Sequence, residues 1–161
     1  MSDIYLMCGV PGSGKSTFLK NNVNLDSSIV ISRDEIRFSL LKPDEEYFSH
    51  EKEVVNILWK QINEAIATSK NVFIDQTSLT PKSRKWILTH IQGYNHANAI
   101  WIDENLDICL KRNEMRRGTR AYVPPHDIRQ MYTRFIPPSL TEGFYRIYRY
   151  KDNKLTYSGV I

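Results

Sequence analysis

Short apolar runs alternate with longer segments of helical periodicity along this chain. Five runs are predicted as β-strands, because they are short and rich in β-branched or aromatic residues. They are residues 4–8 (IYLMC), 28–32 (SIVIS), 71–75 (NVFID), 98–102 (NAIWI) and 144–150 (FYRIYRY). Strands that alternate with helices in this way predict an α/β fold with a mainly parallel sheet.

Helices are predicted between the strands. They begin at Lys15, after Ser32, at Thr80-Pro81 and near Pro125, and two more span 44–68 and 105–116. The long helix has the clearest apolar face, formed by Tyr47, Val54, Val55, Leu58, Ile62 and Ile66. The tail YKDNKLTYS is predicted to turn into a short final strand.

Length and composition predict one domain, 1–161, because 161 residues with 41% hydrophobic content can bury one ordinary core. Cys8 and Cys109 fall in predicted core positions and suit a reducing compartment. A targeting segment is not evident, and no apolar run approaches the roughly 18 residues of a membrane span. We therefore expect a cytoplasmic protein without a membrane partner.

The formal charge of +4 is too mild by itself to indicate nucleic-acid binding. Its distribution is more informative, since residues 111–134 hold seven basic residues against two acidic ones, a local charge of +5. The rest of the chain sums to −1. This concentration favours a cationic surface with a function.

The stretch CGVPGSGKST, residues 8–17, contains the pattern G-x-x-x-x-G-K-[ST] directly after a predicted strand and before a predicted helix. Glycines let successive N–H groups point at one anion, and the helix N-terminus adds partial positive charge. Lys15 is expected at the β- and γ-phosphates of ATP and Ser16 at Mg²⁺. The predicted nucleotide-binding residues are Gly9, Pro11, Gly12, Ser13, Gly14, Lys15, Ser16 and Thr17.

Three classes of protein use such a loop. A GTPase would add D-x-x-G and [NT]-K-x-D, and neither string occurs in the chain. A motor ATPase needs sensor and partner-contacting modules for which 161 residues leave no room. A kinase is the compact option, because it needs only a base, a metal-organising acid and arginines around the transferred phosphoryl group.

Candidate groups for these roles follow the second and third strands. Asp34 in SRDEIR could accept a proton from an attacking hydroxyl, with Arg37 on the same helical face. The alternative is a capping box of Ser32 and Glu35, in which Asp34 is a favourable first-turn carboxylate. Sequence alone leaves both readings open.

In DQTSLTP, Asp75 ends the third strand and could order Mg²⁺ waters or hold the acceptor, and Thr77 is a second candidate contact for the substrate. The alternative for Asp75 is a turn residue ahead of the Thr80 helix cap. In KRNEMRRGTR, Arg112 and Arg116 are four residues apart on one helical face. Such a helix could be a lid over the triphosphate, or simply a solvated basic face.

Together these stretches resemble the bacteriophage type of 5′-hydroxyl polynucleotide kinase family over nearly the whole chain. PGSGKST is similar to the loop of that family, SRDEIR to its [NS]-R-D-[DE]-x-R segment and TSLTPKSRKW to its T-N-L-N-P-x-R-R segment. KRNEMRRGTRAYVPPHDIRQMY resembles its lid and the V-P-x-x-x-x-R-x-M-Y that follows. The last two stretches are far more specific than the loop.

The resemblance implies a P-loop kinase-like three-layer fold with a helical lid at about 111–123, and transfer of the ATP γ-phosphate to 5′-hydroxyl ends of DNA or RNA. It implies that Asp34 is the general base, that Arg37 holds the acceptor's phosphate and that Arg116 or Arg117 reaches the transferring phosphoryl group. Lys15 would also be catalytic, Arg112 would contact ATP, and Ser16 and Asp75 would serve the metal.

The chain differs from the pattern of this family in three respects. Gln76 stands where the phage enzyme has its acid, so Asp75 is the substitute, and the lid carries one extra residue. No D-x-D-G-T phosphatase motif occurs, so we expect a kinase without a phosphatase domain.

The first alternative is a kinase for a small hydroxylated molecule such as a nucleoside, sugar nucleotide or antibiotic, and the second is a nucleotide-binding module without catalysis. Tyr122, Pro124 and Pro125 could stack on a terminal base, although ordinary packing is the favoured explanation for them.

Overall fold

The computed structural model describes residues 1–159, so the last two residues of the predicted 1–161 domain lie outside it. The strands are β1 Ile4–Cys8, β2 Ser28–Ser32, β3 Asn71–Asp75, β4 Ala97–Ile102, β5 Arg146–Lys151 and β6 Lys154–Gly159. The α-helices are α1 Lys15–Asn22, α2 Arg33–Leu40, α3 Glu51–Ala67, α4 Pro81–His90, α5 Leu106–Glu114 and α6 Pro125–Arg134. A 3₁₀ turn spans Leu140–Glu142.

The strands form one sheet in the order β2-β3-β1-β4-β5-β6. The first five are parallel, and β6 is antiparallel to β5. β1 lies near the centre, where Ile4 is level with Val72 of β3 and Ala97 of β4. The chain therefore has the α/β P-loop fold with a mainly parallel sheet that the alternating pattern predicts.

Both faces of the central strand are buried, which is why β1 is apolar throughout. Ile4, Leu6 and Cys8 belong to the larger core cluster, which also holds the apolar residues of α3 and α4. Met7 faces the other side and clusters with Phe18 and Leu19 of α1. The sheet is thus the middle of three layers.

Most predicted elements are confirmed. β1, β2 and β3 have the predicted bounds, and the final strand is present as β6 after a turn in which Asp152 and Asn153 have positive φ of 50° and 60°. β5 begins at 146 rather than 144, because Phe144 is buried in the core and the Tyr145 amide bonds the Ala97 carbonyl before the ladder starts. Cys8 and Cys109 are buried and unpaired, as expected.

The prediction for the long helix is wrong at its N-terminal end. α3 begins at Glu51, and residues 42–50 form successive turns, including the bonds from Glu45 N to Lys42 O and from Ser49 N to Glu46 O. Tyr47 therefore lies outside the apolar face, and the buried positions of the helix are Val54, Leu58, Ile62, Ala65 and Ile66.

The prediction that Arg112 and Arg116 lie on one face of a single lid helix is also wrong. α5 ends at Glu114, so Arg112 and Arg116 are not on one helix. The chain turns there because the buried Asn113 amide bonds both the carbonyl and the N–H of Val123, at 2.7 and 3.0 Å. Residues 115–123 are consequently a looped segment closed at its base by Asn113.

Candidate active site

The loop between β1 and α1 lies at the carboxyl edge of the sheet. β1 is flanked by β3 and β4, which continue the sheet in opposite directions, so the loop is at a topological switch point. Ligands of open α/β sheets bind at such points. The residues after β2 and β3 meet the loop at the same edge.

The loop backbone needs its glycines. Gly12 has φ of 81°, and a Cβ added there would lie 2.4 Å from the Cys109 carbonyl oxygen. Gly14 has φ of 106° and precedes the first residue of α1. A Cβ at Gly9 would lie 2.7 Å from Ser13 Oγ. The glycines of the motif are therefore needed for two reasons: the backbone is left-handed at Gly12 and Gly14, and neighbouring atoms leave no room for a Cβ at Gly9 and Gly12.

The loop has the properties of an anion cradle. No side chain caps α1 and no acidic residue lies in its first turn, so the N-terminus keeps its partial positive charge. Within residues 1–159, Ser13 Oγ is buried without a hydrogen-bond partner. Lys15 Nζ donates to the Gly9 and Val10 carbonyls at 2.9 and 3.0 Å, and burial lowers its pKa. These residues fit a polyphosphate.

Two oxygen ligands for a hard cation lie beside the cradle. The Ser16 hydroxyl donates to Asp75 Oδ2 at 3.1 Å, across the gap between α1 and β3. Burial raises the pKa of Asp75, while Lys15 and the Ser16 hydrogen bond act in the opposite direction. Hydroxyl and carboxylate oxygens are the donors that Mg²⁺ prefers, so Ser16 and Asp75 fit that ion together with substrate phosphates.

Both sequence readings of Asp34 are compatible with the structure. Ser32 Oγ accepts from the Glu35 amide at 3.2 Å, so the helix cap is formed on the serine side. The Asp34 side chain is nevertheless 58% exposed and lines the cavity that the P-loop borders. It lies near enough to Lys15 and Asp75 to act on the pKa of both.

Arg37 is almost completely buried, with 4% exposure. Its Nε and Nη2 bond the Glu51 carboxylate at 3.0 and 2.8 Å, and its Nη1 bonds Asp34 Oδ1 and the Tyr47 hydroxyl. The guanidinium also stacks 4.2 Å from the centre of the Tyr47 ring. Arg37 therefore connects α2, the 42–50 loop and α3.

The basic residues of the predicted lid have different surroundings. Arg116 lines the cavity, affects the pKa of Lys15, and has no carboxylate within 4 Å among the residues described. Arg117 is exposed, pairs with Glu114 and stacks on Tyr122. Arg112 donates to the Gly12 and Ser13 carbonyls and pairs with Glu104, so it braces the loop and does not line the cavity.

The cavity has a volume of about 640 Å³. Thr77 lines it, and its carbonyl accepts from the Gly9 amide at 2.9 Å, while Thr17 is exposed on α1 outside it. Tyr122 and Pro124 line it, and Pro125 does not. Its other walls include residues that the sequence does not assign to the site, namely Arg33, Tyr47, Phe48, Glu51, Trp86, Met131 and Arg134.

Those residues gave little sequence signal. Glu51 is an ordinary first-turn acid of a helix, and the apolar periodicity places Tyr47 on a helix face. Only the clustering of aromatic and basic residue types outside the strands could have indicated them.

A model of the family described as "AAA domain" matches residues 4–138, which include every element from β1 to α6. The chain therefore belongs to this family of P-loop domains.

Solved structures share the fold at low identity. A chain of the structure described as the "Pnkp1/Rnl/Hen1 RNA repair complex" superposes with a TM-score of 0.72 and 21% identity, over 83% of this chain and 43% of that one. A putative kinase from Chloroflexus aurantiacus j-10-fl gives 0.64 and 14%, covering 85% and 79%. A gluconokinase from Sinorhizobium meliloti 1021 gives 0.54 and 17%, covering 85% and 76%. This chain spans about two fifths of the length of the RNA repair chains it matches.

Among the helices of residues 1–159, none combines the length and the apolar character needed to cross a membrane.

Proposed function

We propose that this chain is an ATP-dependent kinase that transfers the γ-phosphate to the 5′-hydroxyl end of DNA or RNA. One observation carries the proposal: the exposed carboxylate of Asp34 shares one cavity with Lys15, Ser16 and Arg116. A base across from a phosphate cradle is the arrangement that phosphoryl transfer to an alcohol needs.

In the proposed reaction, the acceptor hydroxyl binds between Asp34 and the P-loop. Its oxygen forms a bond to the γ-phosphorus while the bond from that phosphorus to the bridging oxygen breaks, so ADP leaves and the proton passes to Asp34. Lys15 and Arg116 neutralise the charge on the transferring group. A Mg²⁺ ion held by Ser16 and Asp75 would add charge stabilisation there.

Arg37 has a supporting role in this proposal. Because its guanidinium is held by Glu51, it fixes the orientation of Asp34 through Nη1. Four of the five N–H groups of Arg37 bond Glu51, Asp34 and Tyr47, so the expectation that it holds the acceptor's phosphate leaves a single N–H for that contact. Arg116 rather than Arg117 is proposed as the lid arginine, since Arg117 pairs with Glu114.

Two similarities support different acceptors. The polynucleotide acceptor is supported by the sequence stretches in 32–37, 77–86 and 111–132 and by the similarity to a chain of an RNA repair complex. A small hydroxylated acceptor is supported by the similarity to a gluconokinase. The polynucleotide is preferred because the cavity carries both unpaired arginine and aromatic side chains.

The deciding experiment uses γ-labelled ATP with four acceptors: a 5′-hydroxyl oligonucleotide, its 5′-phosphorylated form, free nucleosides and gluconate. We expect label on the first acceptor, and at least a hundredfold loss in Asp34→Asn, as is typical for removal of a general base. Asp44→Asn removes an exposed carboxylate outside the cavity and serves as the matched control. Label on gluconate or nucleosides but never on the oligonucleotide would reject the proposal.

A further inference from the structure

Arg120 joins the segment 115–123 to helix α2. Its Nη1 donates to the Phe38 carbonyl at 3.0 Å, and its Nη2 donates to the Leu41 carbonyl at 3.4 Å. These partners lie 82 and 79 residues away in the chain. Within residues 1–159, the other hydrogen bonds of the segment stay inside it or run to α5 at its base. Arg120 is therefore the group that holds the segment to α2.

The two carbonyls are at the C-terminal end of α2. The Lys42 amide would bond the Phe38 carbonyl if the helix continued, but it donates to a side chain instead. Arg37, the basic residue in the last turn of the helix, directs its guanidinium to Glu51. Carbonyls at a helix C-terminus carry partial negative charge and bind cationic side chains. Arg120 thus brings a cation from a distant part of the chain to this helix end.

Helix α2 is a firm support for this contact. Ile36 and Arg37 are buried, and Arg37 bonds Glu51 of α3. The Phe38 ring packs edge-on against Tyr47, with 6.2 Å between the ring centroids. An element with buried side chains and ion-paired neighbours opens less readily than an exposed loop. The carbonyls that Arg120 contacts are therefore well fixed in position.

The segment 115–123 has little apolar packing of its own. Met115 is 85% exposed, and a Cβ at Gly118 would have no atom within 4 Å. A segment with few buried contacts opens at a low cost in free energy. Its position therefore depends on Asn113 at the base and on Arg120 near the far end.

Asp34 of α2 and Arg116 of the segment line the same two cavities. One is the cavity that the P-loop borders, and the other has a volume of about 610 Å³ and lies on the α1 side. Phe38 and Ala121 also line the second cavity, so α2 and the segment both contribute to its wall. Arg120 is four residues beyond Arg116 and bonds the helix that carries Asp34.

We propose that Arg120 is a positioning residue, which docks the segment 115–123 on the C-terminal end of α2 and thereby holds Arg116 in the cavity that contains Asp34. The proposal rests on the proposed function, because it concerns the groups around the transferring phosphoryl group. A base and a cation act together on that group only while both are in place. Arg120 is exposed and lines neither cavity, so it acts through Arg116 and not on the substrates.

The kinetic test compares Arg120→Ala, Arg116→Ala and the double variant, with γ-labelled ATP and a 5′-hydroxyl oligonucleotide. Arg120→Ala is expected to lower kcat about tenfold at unchanged KM for both substrates, because a misplaced cation weakens binding of the transition state alone. In the Arg116→Ala background, the same substitution is expected to change kcat by less than about twofold. Arg120→Lys retains a donor for one carbonyl and is expected to keep most of the activity.

The matched control is Arg129→Ala. It removes the same charge from an exposed position on α6 outside both cavities, and it is expected to leave kcat and both KM values unchanged.

A second measurement does not depend on the acceptor. Amide hydrogen exchange of the full chain without nucleotide reports opening of the segment through the N–H groups of Thr119 and Tyr122, which bond carbonyls within it. Arg120→Ala is expected to speed their exchange about fivefold, the worth of one hydrogen bond. Arg129→Ala is expected to match the wild type.

The outcomes separate this inference from the proposed function. A wild type that labels no acceptor rejects the proposed function and with it the role of Arg116 in transfer, whereas faster exchange in Arg120→Ala still supports the docking on α2. Unchanged exchange in Arg120→Ala rejects the docking, whatever the activity. A tenfold loss of kcat that persists in the Arg116→Ala background shows that Arg120 does not act through Arg116 and overturns the proposal.

Discussion

The Tyr47 hydroxyl donates a hydrogen bond to Asp34 Oδ1 at 2.5 Å and accepts one from Arg37 Nη1 at the same distance. Tyr47 reaches this position because residues 42–50 form turns before α3 begins. Burial and Asp34 both raise the pKa of Tyr47, so the phenol is neutral and able to donate. Under the proposed function, its hydroxyl competes with the acceptor hydroxyl for one of the two carboxylate oxygens of Asp34.

Tyr47→Phe is therefore expected to lower the acceptor KM about fivefold and to leave the ATP KM unchanged. The reason is that a hydrogen bond with a net worth of about 1 kcal/mol no longer has to be broken when the acceptor binds. Steady-state kinetics with the oligonucleotide acceptor measure this, and Tyr132→Phe, an exposed tyrosine outside the cavity, is the control. A lower kcat at unchanged acceptor KM would mean instead that Tyr47 orients Asp34.

Gly12→Ala tests the tight packing behind the P-loop. A Cβ there meets the Cys109 carbonyl oxygen at 2.4 Å, whereas one at Gly118, with nearly the same φ of 83°, meets nothing within 4 Å. Both substitutions introduce left-handed strain of about 1 kcal/mol. The difference in ATP affinity between the two variants therefore measures the effect of the clash at Gly12. We expect Gly12→Ala to lose ATP affinity at least tenfold in a titration with a fluorescent ATP analogue, and Gly118→Ala to retain it. Equal behaviour of the two variants would contradict the packing described.

Within residues 1–159, Arg84 is the largest fully buried side chain. Its charge is neutralised by Glu142, with 2.7 Å between Nε and Oε1, and its Nη1 donates to the Ser78 carbonyl at 2.8 Å. Arg84→Ala leaves the carboxylate of Glu142, whose side chain is only 12% exposed, without its partner and is expected to cost about 3 kcal/mol in the free energy of unfolding. Urea denaturation measures the loss.

The same titration separates the ion pair from simple packing. Arg84→Met combined with Glu142→Leu is expected to be less destabilising than Arg84→Ala, because no unpaired charge remains. Lys85→Ala, at an exposed neighbour, is expected to have an effect near zero. A double variant as unstable as Arg84→Ala would contradict this and show that the cost comes from lost hydrogen bonds, such as the one to the Ser78 carbonyl, rather than from an unpaired charge.

Glu51 gives the stability of the fold a pH dependence. Burial alone would raise the pKa of Glu51, but hydrogen bonds from Arg37 and Arg33 outweigh it and lower the pKa below the ordinary 4.5. The ion pairs therefore contribute fully above about pH 4.5 and are lost as the pH falls through the lower folded-state value.

We expect Glu51→Gln to be less stable than the wild type by about 2 kcal/mol near neutral pH, less than for a fully buried pair because the side chain is 27% exposed. The difference in unfolding free energy should shrink as the pH falls below 4.5. Urea denaturation of both proteins at several pH values measures it. A difference that stays constant down to acid pH would show that Glu51 acts by packing.

The sequence alone predicts the local parts of this fold well. The bounds of β1, β2 and β3, the caps at Ser32 and Thr80, and the turn of the β5–β6 hairpin follow from nearest neighbours in the chain. The P-loop is predictable for the same reason, since its shape depends on glycine conformations within eight consecutive residues. Where tertiary contacts compete with periodicity, as at residues 44–50, prediction from the sequence fails.

The pairing of charged side chains was decided by the tertiary structure. In the sequence, Arg37, Arg112, Arg116 and Arg117 are similar basic residues. In the structure, Arg37 bonds Glu51, Arg112 bonds carbonyls of the P-loop and Arg117 bonds Glu114. Arg116 bonds no carboxylate among the described residues and lines the cavity. Which carboxylate lies within reach depends on where α3 begins, where α5 ends and how Asn113 closes the segment before α6. Those positions result from packing between distant segments, which residue type and spacing do not encode.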